Sequence, residues 1–180
     1  MITIIFEAHS TSSDNEAQLS SGWNDVALSD LGVSQSKDMG QRRKLDDFDA
    51  VFTSDMKRAY NTASLAFDID TSKLFIDWRL RECDYGELTQ HPKKAVDAER
   101  PKRISTPFPD GESYEQTSLR MRLFLEDLLR FHADETVLII GHRATQYGLD
   151  RWINNTPLAD LLSAPWKWQA GWTYHLSKLN

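Results

Sequence analysis

Two short apolar runs, one near each end of the chain, both terminate on a histidine. Ile2-Thr3-Ile4-Ile5-Phe6 leads into Ala8-His9-Ser10-Thr11, and Thr136-Val137-Leu138-Ile139-Ile140 leads into Gly141-His142-Arg143. Runs of this kind read as buried strands. In an α/β sheet, ligands bind at the carboxyl ends of the strands. Two histidines delivered to that edge from opposite ends of the chain predict one shared site, suited to nucleophilic or acid–base chemistry.

Between these runs the pattern alternates. Residues 10–27 are polar and turn-rich around Gly22-Trp23-Asn24-Asp25. Ser29 or Asp30 is placed to cap a helix that runs to about Lys44. Ala50-Val51-Phe52-Thr53 reads as a second strand, 56–67 as a helix, and Leu74-Phe75-Ile76 as a third strand. Periodicity is lost from Cys83 to Glu112, a stretch holding Pro92, Pro101, Pro107 and Pro109, and this reads as a lid-like excursion. Ser113 to about His132 reads as a long amphipathic helix with Met121, Leu125, Leu128 and Leu129 on its apolar face. A helix from about Ala144 to Ile153 comes after the second histidine, and Trp172-Thr173-Tyr174-His175-Leu176 reads as the last strand. Strands alternating with helices predict a three-layer αβα sandwich of the α/β class.

Composition narrows the function classes. A chain of 180 residues suits one domain, 1–180, with a sizeable core. The net charge of −6 argues against a nucleic-acid partner, which needs a basic surface. It leaves room for a small anionic substrate in a locally positive pocket. Cys83 is the only cysteine, so neither an intrachain disulfide nor a cysteine-rich zinc site is available. No basic-then-apolar leader and no bilayer-length apolar stretch is read, so the expected compartment is the cytoplasm, with no membrane partner.

The motifs are more specific when taken in order. Ala8-His9-Ser10 is followed by Ser12 and Asn15, and then by Gly22-Trp23-Asn24-Asp25 through Leu28-Ser29-Asp30-Leu31-Gly32. Ser54-Asp55-Met56-Lys57-Arg58-Ala59 precedes Thr62-Ala63. Leu80-Arg81-Glu82 precedes Tyr85-Gly86-Glu87, Pro109-Asp110-Gly111-Glu112-Ser113 comes next, and Gly141-His142 closes the series. This ordered set covers nearly the whole chain and resembles the histidine phosphatase superfamily, with its phosphoglycerate-mutase-like fold. The resemblance implies a mostly parallel sheet with at least one antiparallel edge strand.

It also implies chemistry. His9 is the nucleophile that takes a phosphoryl group as phosphohistidine. Arg58, Asn15, Ser12 and His142 surround the transferring group with donors, because its charge spreads over the equatorial oxygens. Glu82 protonates the leaving alcohol and later activates water. No metal or organic cofactor is required. The family pattern has Arg directly before the nucleophilic His, and this chain has Ala8. Loss of one preorganised donor costs roughly 3 kcal/mol, and Arg143, directly after His142, is the nearest replacement.

Plainer readings stand beside these. Arg58 could pair with Asp55, Asn15 could stabilise a turn, and Asp84 or Glu87 could take the place of Glu82. Glu112-Ser113 could cap the long helix rather than touch ligand. The cations of 91–103 read as solvated, with Asp97 and Glu99 partly cancelling them. Trp166, Trp168 and Trp172 read as packing against the sheet, with ligand stacking or a contact in a homo-oligomer as alternatives. The expected activity is a phosphomonoesterase acting on a small phosphorylated substrate. The alternatives are a mutase-type phosphotransferase, a silent phospho-ligand binder on account of Ala8, and a metal hydrolase built on His9, His142 and Glu82.

Overall fold

Ile2–Ala8 (β1) and Thr136–Gly141 (β4) run side by side and parallel, with Ala8 in register with Gly141. The computed structural model describes residues 1–67 and 72–179. Three further strands complete the sheet: Ala50–Thr53 (β2), Leu74–Ile76 (β3) and Trp172–Leu176 (β5). The order is β3-β2-β4-β1-β5. Every pairing is parallel except β1 with β5, which is the antiparallel edge.

The alternation along β4 explains the layering. Side chains on successive strand residues point to opposite faces. Val137 and Ile139 enter a cluster with Ile4 and Phe6 of β1, with Phe124 and Leu125 of α5 (Tyr114–Phe131), and with Leu149 of α6 (Arg143–Ile153). Leu138 and Ile140 enter another cluster with Met39 of α2 (Asp30–Arg42) and Ala63 of α3 (Lys57–Phe67). The sheet is therefore covered on both faces, as the α/β pattern predicts.

The connections explain where a site can form. β1 leads to α2 on one face, and β4 leads to α6 on the other. Neighbouring strands whose connections leave on opposite faces open a crevice at their carboxyl ends. His9 and His142 are the first residues beyond those two strands.

The local signals hold at the helix starts. Ser29 Oγ accepts from Gly32 N at the start of α2. Ser113 caps α5, and Gln116 reciprocates through its side chain. Elsewhere the structure differs from the sequence reading. Helix α2 stops at Arg42, not Lys44, because Arg43 turns to extended backbone and directs its guanidinium at Glu7. The turn-rich 10–27 segment contains a one-turn helix, Ser13–Glu16 (α1). The 83–112 excursion contains a further helix, Lys93–Glu99 (α4), whose one buried apolar residue, Val96, leaves no period to read. Leu158–Ser163 (α7) is a second element that periodicity does not announce; it buries Leu158 and Leu162, four residues apart. Under the excursion, Tyr85, Val96, Phe108, Tyr114 and Tyr147 form a core of their own. Among the described residues, no helix is long and apolar enough to cross a membrane.

One close approach ties the packing to the site. A Cβ built on Gly32 of α2 would stand 1.9 Å from the backbone oxygen of Thr11, two residues past His9. Backbone cannot yield as a flexible side chain can. Gly32→Ala is expected to lower stability by about 1–3 kcal/mol, measured by urea denaturation.

Candidate active site

The backbone N–H of His9 donates to Gly141 O at 2.9 Å, so the last residue of β4 holds the first residue after β1. The His9 and His142 rings stand 5.0 Å apart between centroids, tilted by 57°. Both line a cavity of about 710 Å³. His9 Nδ1 lies 2.7 Å from Ser10 O. A carbonyl only accepts, so Nδ1 carries the proton and Nε2 of the neutral ring keeps its lone pair. His142 Nε2 lies 2.7 Å from Ser54 Oγ, just beyond β2, and its buried Nδ1 has no partner among the described residues. Burial, and then the nearby Arg58 charge, lower the pKa of His9 to about 3. Burial and Arg58 also hold His142 well below the usual imidazole range, with His9 adding to the effect. Both rings are neutral at pH 7.

Arg58 occupies the first turn of α3 and is only 2% exposed. Its guanidinium donates to Asn24 O at 3.0 Å and Gly22 O at 2.8 Å, so the turn after α1 holds it by carbonyls alone. Asp55 pairs with Arg81 instead, at 2.7 Å. A buried cation without a carboxylate partner keeps its charge available to an anion. Arg143 opens α6; its buried Nε has no partner among the described residues, and the guanidinium lies 5.4 Å from the Tyr147 ring.

Glu82 reaches the same cavity. Its Oε1 accepts from Cys83 N at 2.7 Å. Its backbone carbonyl receives Trp23 Nε1 at 2.7 Å and Arg120 Nη2 at 2.8 Å. Arg120 also donates to the carbonyls of Arg79 and Arg81, and Glu112 accepts from Arg120 Nε and Nη2 at 2.9 Å each. The Glu112–Arg120 pair thus fixes the strap that carries Glu82. Asp84 caps Gly86 N, and Glu87 is exposed; neither lines the cavity.

Of the residues singled out in the sequence, His9, Asn15, Arg58, Glu82, His142 and Arg143 line one cavity. Ser12 does not. It is fully buried, and its Oγ accepts from Asn15 N as the cap of α1. The expectation of a phosphate contact from Ser12 is corrected for that reason. Asn15 returns the bond through Oδ1 to Ser12 N, which leaves its amide nitrogen for a ligand. The cations of 91–103 divide. Lys102 and Arg103 pair with Glu99 as solvated charges do, while Lys93 and Arg100 line the cavity. Among the described residues, no three His, Cys, Asp or Glu side chains gather as a metal set.

A model of the histidine phosphatase superfamily (branch 1) matches residues 4–174. The chain belongs to that superfamily. It is 30% identical over 149 residues to a Hydrogenobacter thermophilus protein provisionally named phosphoserine phosphatase 2, covering 78% of this chain and 73% of that one. It is 40% identical over 95 residues to a Streptococcus uberis 2,3-bisphosphoglycerate-dependent phosphoglycerate mutase, but that match spans 49% of this chain and 41% of the mutase. In structure it resembles Bacillus stearothermophilus YhfR, with a TM-score of 0.84 at 22% identity, covering 98% of this chain and 96% of that one.

In this member of the histidine phosphatase superfamily three groups escape sequence reasoning. Ser54 belongs to a motif that assigns it no contact, and it orients His142. Arg42 lines the cavity while paired with Glu7 at 2.7 Å, and no local signal announces it. Arg120 does leave a signal: it lies on the buried face of α5, three residues from Thr117 and four from Phe124.

Removing Arg120 takes the cation from Glu112 and the donor from the carbonyls of Arg79 and Arg81; Arg120→Leu is expected to cost about 3–5 kcal/mol in chemical denaturation. For His9, the unfolded ring protonates near pH 6.5 and the folded ring only near 3. Between those values the unfolded state binds more protons, so stability is full above about pH 6.5 and falls as pH drops toward 3. His9→Gln should flatten that slope in a pH series of melting temperatures.

Proposed function

We propose that this chain is a phosphatase that hydrolyses a small phosphomonoester through a phosphohistidine on His9. The observation that carries the reading is the His9 tautomer. The Ser10 carbonyl holds the proton on Nδ1, so Nε2 offers its lone pair to the cavity beside the Arg58 charge.

In the first step Nε2 attacks phosphorus and the bond to the alcohol oxygen breaks. Glu82, protonated, gives its proton to the departing oxygen. In the second step the Glu82 carboxylate takes a proton from water. The resulting hydroxide attacks phosphorus, the P–N bond breaks, and phosphate leaves with Nε2 restored. Arg58 neutralises the equatorial oxygens. With the Ser54 hydroxyl donating to His142 Nε2, the His142 proton sits on Nδ1, an orphan buried donor that a phosphoryl oxygen satisfies. Asn15 adds its amide. Arg143 supplies the charge that an arginine at position 8 would otherwise bring. Its place in the cavity lining, with a buried Nε that lacks a partner among the described residues, supports that role. The excursion over 83–112 acts as the lid, and the free buried thiol of Cys83 suits a reducing cytoplasm.

Ala8 at the cavity wall favours a second reading, a binder of phosphorylated ligands with little turnover. Hydrolysis of 4-nitrophenyl phosphate decides between them. Turnover by the wild type, lost by about a thousandfold or more in His9→Ala, is the expected result. Turnover that survives in His9→Ala contradicts the covalent step. Phosphate binding without turnover selects the binder. Arg143→Ala is expected to lower kcat/KM about a hundredfold, and an unchanged value removes Arg143 from the phosphate site.

A further inference from the structure

The cavity of about 710 Å³ is far larger than a phosphoryl group. Volumes of this size hold whole small molecules, so most of the space belongs to the leaving group. The wall there is not polar throughout. Trp166 and Trp168 both line it, on the segment between α7 and β5.

The two indoles are held differently. Trp166 is fixed. Its Nε1 donates to Gln146 Oε1 at 2.6 Å, and Gln146 lies one helical turn beyond His142 on α6. The Trp166 ring lies 6.0 Å from Trp172 at 33°, and Trp172 lies 5.5 Å from Phe6 in the core. A row of aromatic rings therefore runs from the sheet to the cavity wall. The segment is also tied at its far end. Arg43 Nη2 donates to Ala170 O at 3.1 Å while its Nε holds the fully buried Glu7 at 3.0 Å. Gly171, at φ +88°, lets the chain pass there; a Cβ on it would meet Arg43 Nη2 at 2.2 Å. Glu7 immediately precedes Ala8 on the strand that delivers His9. The aromatic wall and the nucleophile are thus referenced to the same strand.

Trp168 is 61% exposed and has no aromatic or hydrogen-bonding partner among the described residues. An indole left in water at the lip of a pocket gains by covering a flat ring. Two of the lining cations are already engaged, while Lys93 has no side-chain partner among the described residues. Arg42 is held by Glu7, and Arg100 pairs with Asp97 at 2.9 Å. Glu16 and Asp38 add negative charge to the lining, which opposes a leaving group that is itself anionic.

Resting on the phosphatase reading for the phosphoryl end of the site, we propose that Trp166 and Trp168 form a specificity wall for the leaving group. The preferred substrates are phosphate esters of a planar, uncharged ring, rather than of short charged acids such as serine or glycerate.

Equilibrium binding tests this without requiring turnover. Phenylphosphonate, methylphosphonate and phosphonoacetate share the phosphonate and differ in the group bonded to its phosphorus, so calorimetry on the wild type and Trp168→Ala isolates the wall. Phenylphosphonate is expected to bind about tenfold more tightly than methylphosphonate to the wild type. Trp168→Ala, a change at an exposed side chain, should erase most of that advantage and leave methylphosphonate affinity unchanged. Trp166→Leu should erase it as well. Equal binding of the two ligands by the wild type overturns the proposal, as does an aryl advantage that survives in both variants. Tighter binding of phosphonoacetate than of phenylphosphonate also overturns it and assigns the leaving group to Lys93 and Arg100. An aryl preference in a protein with no turnover sinks the phosphatase reading alone; turnover with no aryl preference sinks this one alone.

Discussion

The in-register pairing of β1 with β4 is the constraint on which the site depends. Ala8 lies beside Gly141, and His9 N–H closes on Gly141 O. That bond sets the separation of two imidazoles that are 133 residues apart in sequence (142 − 9). The pairing is parallel, so both strands end at the same edge. Their onward connections leave on opposite faces, so the edge stays open. A slip of one residue would turn His9 and its neighbours to the other face.

Around that pairing the protein assembles a buried positive charge and two neutral imidazoles. Arg58 is buried against carbonyls rather than carboxylates, and its field helps keep both histidines unprotonated. The arrangement is costly, because among the described residues the buried guanidinium has no carboxylate partner and the buried His142 Nδ1 has no partner at all. A buried cation held in this way is open to an anion. Glu82 rides on a strap whose carbonyls are clamped by Arg120, and Glu112 balances the clamp. Arg58 and His142 are thus held by elements other than the strap that carries Glu82.

The clearest elements in the sequence are those whose signal is local. The strands around both histidines, the Ser29 cap and the Ser113 capping box all declare themselves within a few residues, and the structure places them as read. Helix α4 is hidden because it buries one apolar residue, and α7 because it is a short helix after Pro157 with only Leu158 and Leu162 inside. Ser12 misleads for a related reason. A serine three residues past His9 looks like a ligand, yet its distance of three residues from Asn15 also makes it a cap, and the cap prevails.

The sequence by itself determined the strand–helix alternation, the order of the motifs and the identity of both histidines, because these depend on residue type and short spacing. The tertiary structure alone decided which cations line the cavity, which nitrogen of His9 is free, and that Trp166 and Trp168 border the cavity. Those outcomes rest on contacts between segments far apart in the chain: Arg42 and Arg43 with Glu7, Ser54 with His142, Arg120 with Glu112 and the strap, and Trp166 with Gln146. Except for Arg120, no short-range pattern marks them, since each exists only once the sheet has brought its strands together.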